Sequence, residues 1–414
     1  MEIMDSNKKI GSNSWTVAIF IAQTSIINII SSIISIPNIS IILMLILLIK
    51  TLLNQKTIIL FKKRLYVYIS ILGFILFSAV LNGTDFTKEY CLYFLSFGTV
   101  ALIISSLYVD SRLVIKNIFI IMLVRTMQYY IIQKNKLQLL ASLIDKKLDY
   151  SYDSIQMGIA FEFTHVAILS LAILLYNKEF KFSIAIYVFS FIELILSLAV
   201  IIFDCWTRGA YFSFGIAAFF LILGKLKVGK LPVFISVICA AVFVLLNMEK
   251  IITYIYSLMY NYGINIRALI KQTSLYSLNN STNGRTYFYS LAWNMFKQSP
   301  VWGHGIGAFE RVSGGIYVHD VFLEAMVELG LIGLILVVYI YYSHIKLIFS
   351  YNITYEMLYK ITVFFMISFT LITSGTFWTS PIFWLAVFKC IDVKSLNNSK
   401  ITHNKYFREQ ISAG

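Results

Sequence analysis

Long apolar runs recur along the chain, separated by short polar segments rich in Lys and Arg. Most runs approach the ~20 residues that an α-helix needs to cross the hydrocarbon core of a bilayer. A helix also satisfies every backbone polar group within the span, as lipid requires. The pattern therefore predicts an all-α, polytopic integral membrane protein with about 12 transmembrane helices. The expected spans are residues 15–35, 37–53, 65–81, 90–109, 113–132, 157–176, 182–203, 208–224, 231–248, 325–345, 356–374 and 376–391.

One long polar stretch interrupts this series between the ninth and tenth spans. Loops of such length are uncommon unless they have a role. We therefore expect one large extracytoplasmic loop that contains short helices and carries the chemistry. The predicted regions are transmembrane helices 1–9 in residues 1–248, the loop in 249–324, transmembrane helices 10–12 in 325–391, and a cytoplasmic tail in 392–414.

The distribution of positive charge sets the expected orientation, because Lys and Arg collect in the cytoplasmic loops of membrane proteins. With the N-terminus inside, most of the 34 Lys and Arg residues fall in inner segments, and six of the others lie in the long loop, which the rule does not count. The exception is 134–156, which carries lysines on the outside, partly offset by aspartates. The first apolar run lacks a small-residue cleavage site, so we interpret it as a spanning helix and not a removed signal.

Composition agrees with a membrane protein and narrows the function classes. Hydrophobic residues make up 59% of the chain and charged residues 13%, with a mean hydropathy of +0.79. Soluble domains have about 25% charged residues. The net charge of +14 does not indicate nucleic-acid binding, because the basic residues lie between apolar runs. The four cysteines form no C-x-x-C pair, so we expect neither a disulfide framework nor a zinc site.

The outer loop is basic and rich in tyrosine. Its arginines include Arg267, Arg285 and Arg311. Guanidinium groups bind phosphate through paired hydrogen bonds, and aromatic faces pack on sugar rings. The loop therefore suits an anionic ligand that carries sugars.

A helix is predicted from about Arg285, because Phe288, Ala292, Met295 and Phe296 form one apolar helical face. This helix either lies on the membrane surface or packs on the helical bundle. Both interpretations leave Arg285 near the level of the lipid headgroups.

Alternating glycines follow this helix, within the stretch Gly303-His304-Gly305-Ile306-Gly307. Such glycines let backbone N–H groups approach an anion closely. This makes Gly303, His304 and Gly305 candidate substrate contacts. A tight turn that ends the helix explains the glycines equally well, and no strand precedes them as in a dinucleotide fingerprint.

Two further groups of polar residues lie at span boundaries. Asp320, Glu324 and Glu328 are spaced to share one face of a helix that enters the tenth span. Because carboxylates entering a membrane usually face a cavity, Asp320 and Glu324 are candidate substrate-binding residues; helix capping is the alternative. Arg208, at an outer boundary, either joins the site or snorkels to the interface. We assign no role to the polar residues within spans, Glu162, His165 and Glu193.

Five motifs occur in a fixed order: Thr207-Arg208-Gly209, Gly284-Arg285, the residues 302–309, the residues 319–324, and the residues 328–333. Their order resembles the O-antigen polymerase and O-antigen ligase family over about residues 190–340. The resemblance implies a GT-C-like, metal-independent membrane glycosyltransferase without a cofactor. Its donors would be undecaprenyl-diphosphate-linked glycans on the outer side of the bacterial cytoplasmic membrane.

The resemblance also implies roles for single residues. Arg208 and Arg285 match family arginines that bind the diphosphate, and His319 matches the loop histidine that assists transfer. Arg267 and Arg311 are weaker candidates for the diphosphate. The sequence departs from the family at Asp320, where Asn is common, and we expect the charge of Asp320 to raise the pKa of His319.

The expected function is a polymerase that joins lipid-linked repeat units of an O-antigen, capsule or exopolysaccharide. Expected partners are the glycan donor and acceptor, membrane lipid, a chain-length regulator and a flippase. The outer loop has no D-x-D pair, which argues against a divalent-metal sugar-nucleotide transferase.

Two alternatives stay open at this point. A ligase would move finished glycan onto another acceptor, and the motifs do not separate it from a polymerase. A transporter or flippase of lipid-linked sugars belongs to another class. Such proteins show repeated halves and broken helices, neither of which is evident in the sequence.

Overall fold

The computed structural model describes residues 2–34, 39–53, 62–82, 85–135, 150–205, 207–226, 250, 254, 257–258, 285–350 and 353–390. Within these ranges all regular structure is helical, which confirms the expected all-α fold. The α-helices are α1 (Glu2–Ile21), α2 (Gln23–Ser31), α3 (Ile39–Leu53), α4 (Lys62–Asn82), α5 (Asp85–Tyr93), α6 (Thr99–Ser105), α7 (Ser111–Gln128), α8 (Tyr150–Leu175), α9 (Asn177–Phe180), α10 (Ile184–Ala199), α11 (Arg208–Leu226), α12 (Arg285–Gln298), α13 (Ala308–Ser313), α14 (Val321–Ile348), α15 (Tyr355–Thr373) and α16 (Pro381–Cys390). Three π-helical segments extend or join them: Phe94–Gly98, Tyr129–Gln133 and Val200–Cys205.

Eight helical segments of the described chain are long and apolar enough to cross a membrane. The pair α1 and α2, bent by 73°, makes a ninth if it is one span. The protein is therefore a multi-pass membrane protein, although the expected total of about 12 spans is not confirmed. The eight are Lys63–Val80, Phe86–Ser105, Ser111–Gln133, Ile155–Leu175, Ile184–Cys205, Gly209–Leu226, Val321–Ile348 and Tyr355–Thr373.

Three other predicted spans account for the difference between the expected total of about 12 and the eight or nine spans of the described residues. Helix α3, in the expected span 37–53, has 15 residues and is shorter than the others. The expected span 376–391 is a turn followed by the 10 residues of α16. The expected span 231–248 lies outside the described residues.

Among the described helices two breaks occur, which the sequence did not reveal. The bend between α1 and α2 is one break. The other is at Gly330, which interrupts α14 with φ 65° and ψ −152°. Both breaks matter for the transporter alternative, because broken helices are common in that class.

The exposure of α10 shows that lipid is the solvent around the bundle. Its outer face presents Ile184, Phe191 and Ile195, of which Ile184 is 76% exposed. Its buried face instead carries Ser190, Glu193 and Ser197. A helix in a soluble protein buries its apolar stripe, so this inverted arrangement is stable only where the exposed face contacts hydrocarbon.

The bundle interior pairs the polar groups that it buries. Arg125 forms two hydrogen bonds with the Glu162 carboxylate, Nε to Oε1 at 2.8 Å and Nη2 to Oε2 at 2.9 Å. The amide of Asn28 donates to Glu162 Oε2 at 2.8 Å. This explains how the fifth predicted span tolerates Arg125 and how the bundle interior accommodates the Glu162 carboxylate.

The two ends of the bundle differ in the residues that lie there. At one end, Ser78 Oγ accepts from the N–H of Ile306 at 2.8 Å, so the segment after α12 packs on the end of α4. At the opposite end, Lys225 pairs with Glu179 at 2.8 Å and Arg64 is buried beside Ser105. This separation agrees with the expected orientation, in which the loop is outside and the basic helix ends are inside.

Candidate functional site

Arg285 lies close enough to His319 to act on it electrostatically, at the end of the bundle that is expected to be outside, although 33 residues separate the two along the chain. Arg285 is the first residue of α12 and hydrogen-bonds Tyr289 on the same helix. His319 lies just before α14 in the left-handed backbone region, at φ 63°. Burial, with the nearby charge of Arg285, lowers the pKa of His319 to about 4. The imidazole is therefore neutral at pH 7.

Aromatic packing fixes the position of His319. Its ring packs on Tyr317 at an interplanar angle of 51°, with 4.1 Å between the ring centroids, and the Tyr317 hydroxyl lies 3.2 Å from Ser374 Oγ. The Nδ1 atom of His319 is buried and has no hydrogen-bond partner in the structure. A neutral imidazole nitrogen is thus held in place with its hydrogen-bonding capacity unused.

Asp320 caps α14. Its Oδ1 accepts hydrogen bonds from the N–H groups of Phe322 and Leu323, both at 2.9 Å. Burial raises the pKa of Asp320. The expectation that Asp320 raises the pKa of His319 is wrong, because burial and the charge of Arg285 shift it downward instead. The capping interpretation of Asp320 is confirmed.

Arg208 begins α11, and its side chain lies outside the described residues. The next residue is Gly209, whose carbonyl accepts a hydrogen bond from Thr373 Oγ1 at 3.4 Å. A side chain at Gly209 would stand 3.0 Å from that hydroxyl oxygen. Ser374, the next residue, contacts Tyr317 beside His319. The start of α11 and His319 therefore flank the same end of α15. Arg267 lies outside the described residues.

The glycine run folds against the break in α14. Gly303, Gly305 and Gly307 have φ values of 71°, 90° and 72°, a region that L side chains avoid. A Cβ atom at Gly303 would overlap the backbone of Glu328 and lie 2.6 Å from Leu329 N. This close approach explains the glycines by packing.

The N–H groups of this run already have partners inside the protein. Those of His304 and Gly305 donate to the carbonyls of Val327 at 2.7 Å and Glu328 at 3.0 Å. The His304 ring also uses Nε2, which lies 2.6 Å from the Met295 carbonyl oxygen. The tight-turn interpretation is favoured, and substrate contacts of Gly303, His304 and Gly305 stay predictions. The same holds for Arg311, which is exposed on α13.

Three buried carboxylates form a cluster beneath the glycine run. Oxygen atoms of Glu310, Glu324 and Glu328 lie within 4.8 Å of one another, close enough to hold a metal ion. Three carboxylates this close do not all ionise without a cation, so the alternative is that they retain protons. Burial raises the pKa of Glu310 accordingly.

Neutral donors surround this cluster. The Tyr90 hydroxyl donates to Glu310 at 2.7 Å, and the Trp378 indole N–H donates to Glu328 at 2.6 Å. The N–H of Gly307 donates to Glu328 at 2.9 Å, and the Thr376 hydroxyl donates to Glu324. The cluster thus joins the glycine run at Gly307 to Tyr90 on α5, to the start of α14, and to the turn with Thr376 and Trp378 before α16. Glu310 is not recognisable as a cluster member from the sequence, because its hydrogen-bond partner Tyr90 lies 220 residues away in the chain.

Helix α12 packs on the bundle through the predicted apolar face. Ala292 and Met295 are buried against Phe309, Val318 and Val327. The other side of the segment is exposed, with Trp293 at 45% and Trp302 at 70%. Exposed tryptophans of this kind are typical of the membrane–water interface. Packing on the bundle is therefore the correct interpretation of the apolar face, and it holds Arg285 at the outer end.

Residues 194–338 match the protein-family model described as O-antigen ligase. No curated protein matches the chain. The matched stretch contains Arg208, Arg285 and His319 together with the glycine run and the carboxylate cluster. Members of this family are glycosyltransferase-like membrane enzymes with lipid-linked glycan substrates. Over residues 194–338 the chain is thus similar to the O-antigen ligase family, which confirms the resemblance of its motifs.

Proposed function

We propose that the protein is a polymerase that joins undecaprenyl-diphosphate-linked repeat units into an O-antigen, capsule or exopolysaccharide. The reaction would take place at the outer face of the bacterial cytoplasmic membrane. The observation that supports this proposal is a neutral His319 whose Nδ1 atom has no hydrogen-bond partner and on which the Arg285 guanidinium acts electrostatically, at the expected outer end of the bundle. That pair lies within the stretch that matches the O-antigen ligase family.

In the proposed reaction a sugar hydroxyl of the acceptor attacks the anomeric carbon of the donor glycan. The carbon–oxygen bond to the diphosphate breaks as the new glycosidic bond forms, and the hydroxyl proton is released. Diphosphate is a good leaving group, so stabilising its growing charge matters more than protonating it. Arg208 and Arg285 would supply this stabilisation with bidentate hydrogen bonds and no metal.

His319 would bind the acceptor hydroxyl through its free Nδ1 atom. With a pKa of about 4 the imidazole is a weak base. Its main contribution would therefore be to orient the hydroxyl, and it would accept the proton only as the new bond forms. Assistance of this kind typically accelerates a reaction about 10²–10⁴-fold.

The wider substrate surface would include Arg267, Arg311 and the glycine run. Asp320 and Glu324 would act indirectly, because their carboxylates already bind the start of α14 and Thr376. A chain-length regulator and a flippase are the proposed protein partners.

The proposal is tested in cells with the variants Arg208→Ala and Arg285→Ala. Each should abolish polymer of normal length while the protein still inserts into the membrane, because the diphosphate clamp is lost. Arg112→Ala is the matched control, since Arg112 binds the carbonyl of Lys181 at the opposite end of the bundle. Normal polymer from both Arg208→Ala and Arg285→Ala would refute the assignment.

The description of the matched family favours a ligase as the second candidate. Deletion of the gene separates the two functions. Loss of a polymerase leaves single repeat units on the lipid carrier, whereas loss of a ligase leaves long polymer that is not attached to its acceptor.

A further inference from the structure

A polar cavity lies between the end of α2 and the π-helical segment Tyr129–Gln133. Its volume is about 260 Å³. A water molecule takes up about 30 Å³ in the liquid, so the cavity has room for roughly eight or nine water molecules or for one sugar ring. The lining residues are Asn28, Ser31, Ser32, Ile132 and Gln133.

Two π-helical segments meet beside this cavity. Lys134, which follows Gln133, pairs with Asp204 at 3.3 Å. The Tyr129 hydroxyl, from the first residue of the same segment, donates to Asp204 Oδ2 at 3.1 Å. Asp204 itself belongs to the π-helical segment Val200–Cys205. Such segments are rare and occur frequently at functional sites, so their meeting here favours a role for the cavity.

The cavity lies at the same end of the bundle as His319, with the first turns of α8 between them. On α8, Gln156 donates to the Asp204 carbonyl at 3.3 Å. The next residue, Met157, has its sulfur 3.7 Å from Ser374 Oγ. Ser374 contacts the aromatic ring that packs on His319. A ligand in the cavity is therefore at the expected outer face but is not in contact with His319.

The polar groups of the cavity offer hydrogen-bond acceptors. Gln133 Oε1 is buried and has no hydrogen-bond partner in the structure. The Asn28 amide donates to Glu162 at 2.8 Å, and the Ser32 hydroxyl donates to the Ile29 carbonyl at 2.7 Å. These bonds use the donors of the two side chains and leave their oxygens as acceptors. None of the described residues that line the cavity is charged.

These groups suit a neutral molecule that is rich in hydroxyl groups. Acceptor oxygens bind O–H donors, whereas the oxygens of a phosphate or carboxylate bring only further acceptors. Ile132 adds an apolar surface, and pockets that combine apolar surface with a few amide and hydroxyl groups are typical of small-molecule sites. Ser31 is exposed, so the cavity can be reached from solution. Water is the competing occupant, because it also donates hydrogen bonds.

We propose that this cavity binds a neutral sugar of the glycan acceptor, at a position away from the sugar that reacts. Gln133 Oε1 would accept a hydrogen bond from one ring hydroxyl, and the Asn28 and Ser32 oxygens from others. The identification of the sugar as part of an acceptor rests on the proposed function. The binding of a neutral sugar does not require transfer, so the two can be tested separately.

Saturation-transfer NMR on the full-length protein tests this site. The protein is held in nanodiscs of phosphatidylethanolamine and phosphatidylglycerol, because detergents with sugar headgroups would compete. Glucose, galactose, rhamnose and N-acetylglucosamine are added separately without a glycan donor, and glucuronate serves as the anionic comparison. The variants are Gln133→Leu, which removes the amide, and Ser31→Trp, which fills the cavity from its exposed side. Gln298→Leu is the matched control, since Gln298 is an exposed glutamine at the end of α12.

A saturable signal is expected from at least one neutral sugar, and not from glucuronate, in the wild type and in Gln298→Leu. The dissociation constant should rise about 3- to 10-fold in Gln133→Leu, because one neutral hydrogen bond is lost, and the signal should vanish in Ser31→Trp. Sugar binding that persists in a protein without transfer activity would contradict the proposed function alone. Equal binding by the wild type and both cavity variants, equal binding of glucuronate, or no saturable signal from any neutral sugar would overturn the proposal and leave water as the occupant.

Discussion

Substitution of Gly303 by alanine should damage the protein far more than the same change at Gly314. Both glycines adopt the left-handed region, with φ of 71° and 77°. An alanine in that region costs roughly 1–2 kcal/mol, so this cost is common to both variants. The environments differ, because nothing lies within 4 Å of a Cβ atom at Gly314. A Cβ atom at Gly303 would overlap the backbone of Glu328, which cannot rotate away.

The steric overlap adds about 1–3 kcal/mol at Gly303, the usual cost of overpacking. We therefore expect Gly314→Ala to lose about 1–2 kcal/mol of folding free energy and Gly303→Ala about 2–5 kcal/mol. Thermal unfolding of both variants in detergent, side by side with the wild type, gives the ranking. Gly303→Ala should also lose polymer formation, because its segment connects Arg285 to His319. Equal unfolding midpoints would refute the packing argument for the glycine run.

Two other predictions follow from buried groups. The His319→Ala variant should slow transfer about 10²–10⁴-fold. Because the pKa of His319 is lowered to about 4, the wild-type rate should stay level from pH 8 to about pH 5 and fall at lower pH as the imidazole protonates. A fall centred near pH 6.5 in the pH–rate profile would contradict the assignment. Glu162→Gln leaves Arg125 buried without its charged partner and should lower the free energy of unfolding by about 3–5 kcal/mol. Glu179→Gln, at the partly exposed pair with Lys225, should lower it by at most about 1 kcal/mol. Similar unfolding midpoints for the two variants would show that the buried pair does not contribute more to stability than the exposed one.

The sequence correctly predicted the structural features that depend on the local pattern of apolar and polar residues. Apolar runs indicated the membrane helices, and the apolar face of residues 288–296 indicated how α12 packs. Asp320 before an apolar run is typical of a helix N-cap, and the structure has it there. These features follow from neighbours in the chain, so no knowledge of tertiary contacts was needed.

Tertiary contacts explain what the sequence did not reveal. Glu310 looked like an ordinary loop carboxylate, but Tyr90, its hydrogen-bond partner, lies 220 residues away. The expected effect of Asp320 on His319 failed for the same reason, since burial and Arg285 determine that pKa. The break at Gly330 depends on its contact with Val301, which no periodicity in α14 indicates.

Polymerisation by the purified protein is the most direct test of the proposed function. The full-length chain in detergent is given an undecaprenyl-diphosphate-linked repeat unit, with and without a chelator. We predict a ladder of elongated lipid-linked glycan that persists with chelator and is absent from Arg285→Ala and His319→Ala. Absence of any elongation by the wild type, or a ladder that requires a divalent cation, would contradict a metal-independent polymerase built on these residues.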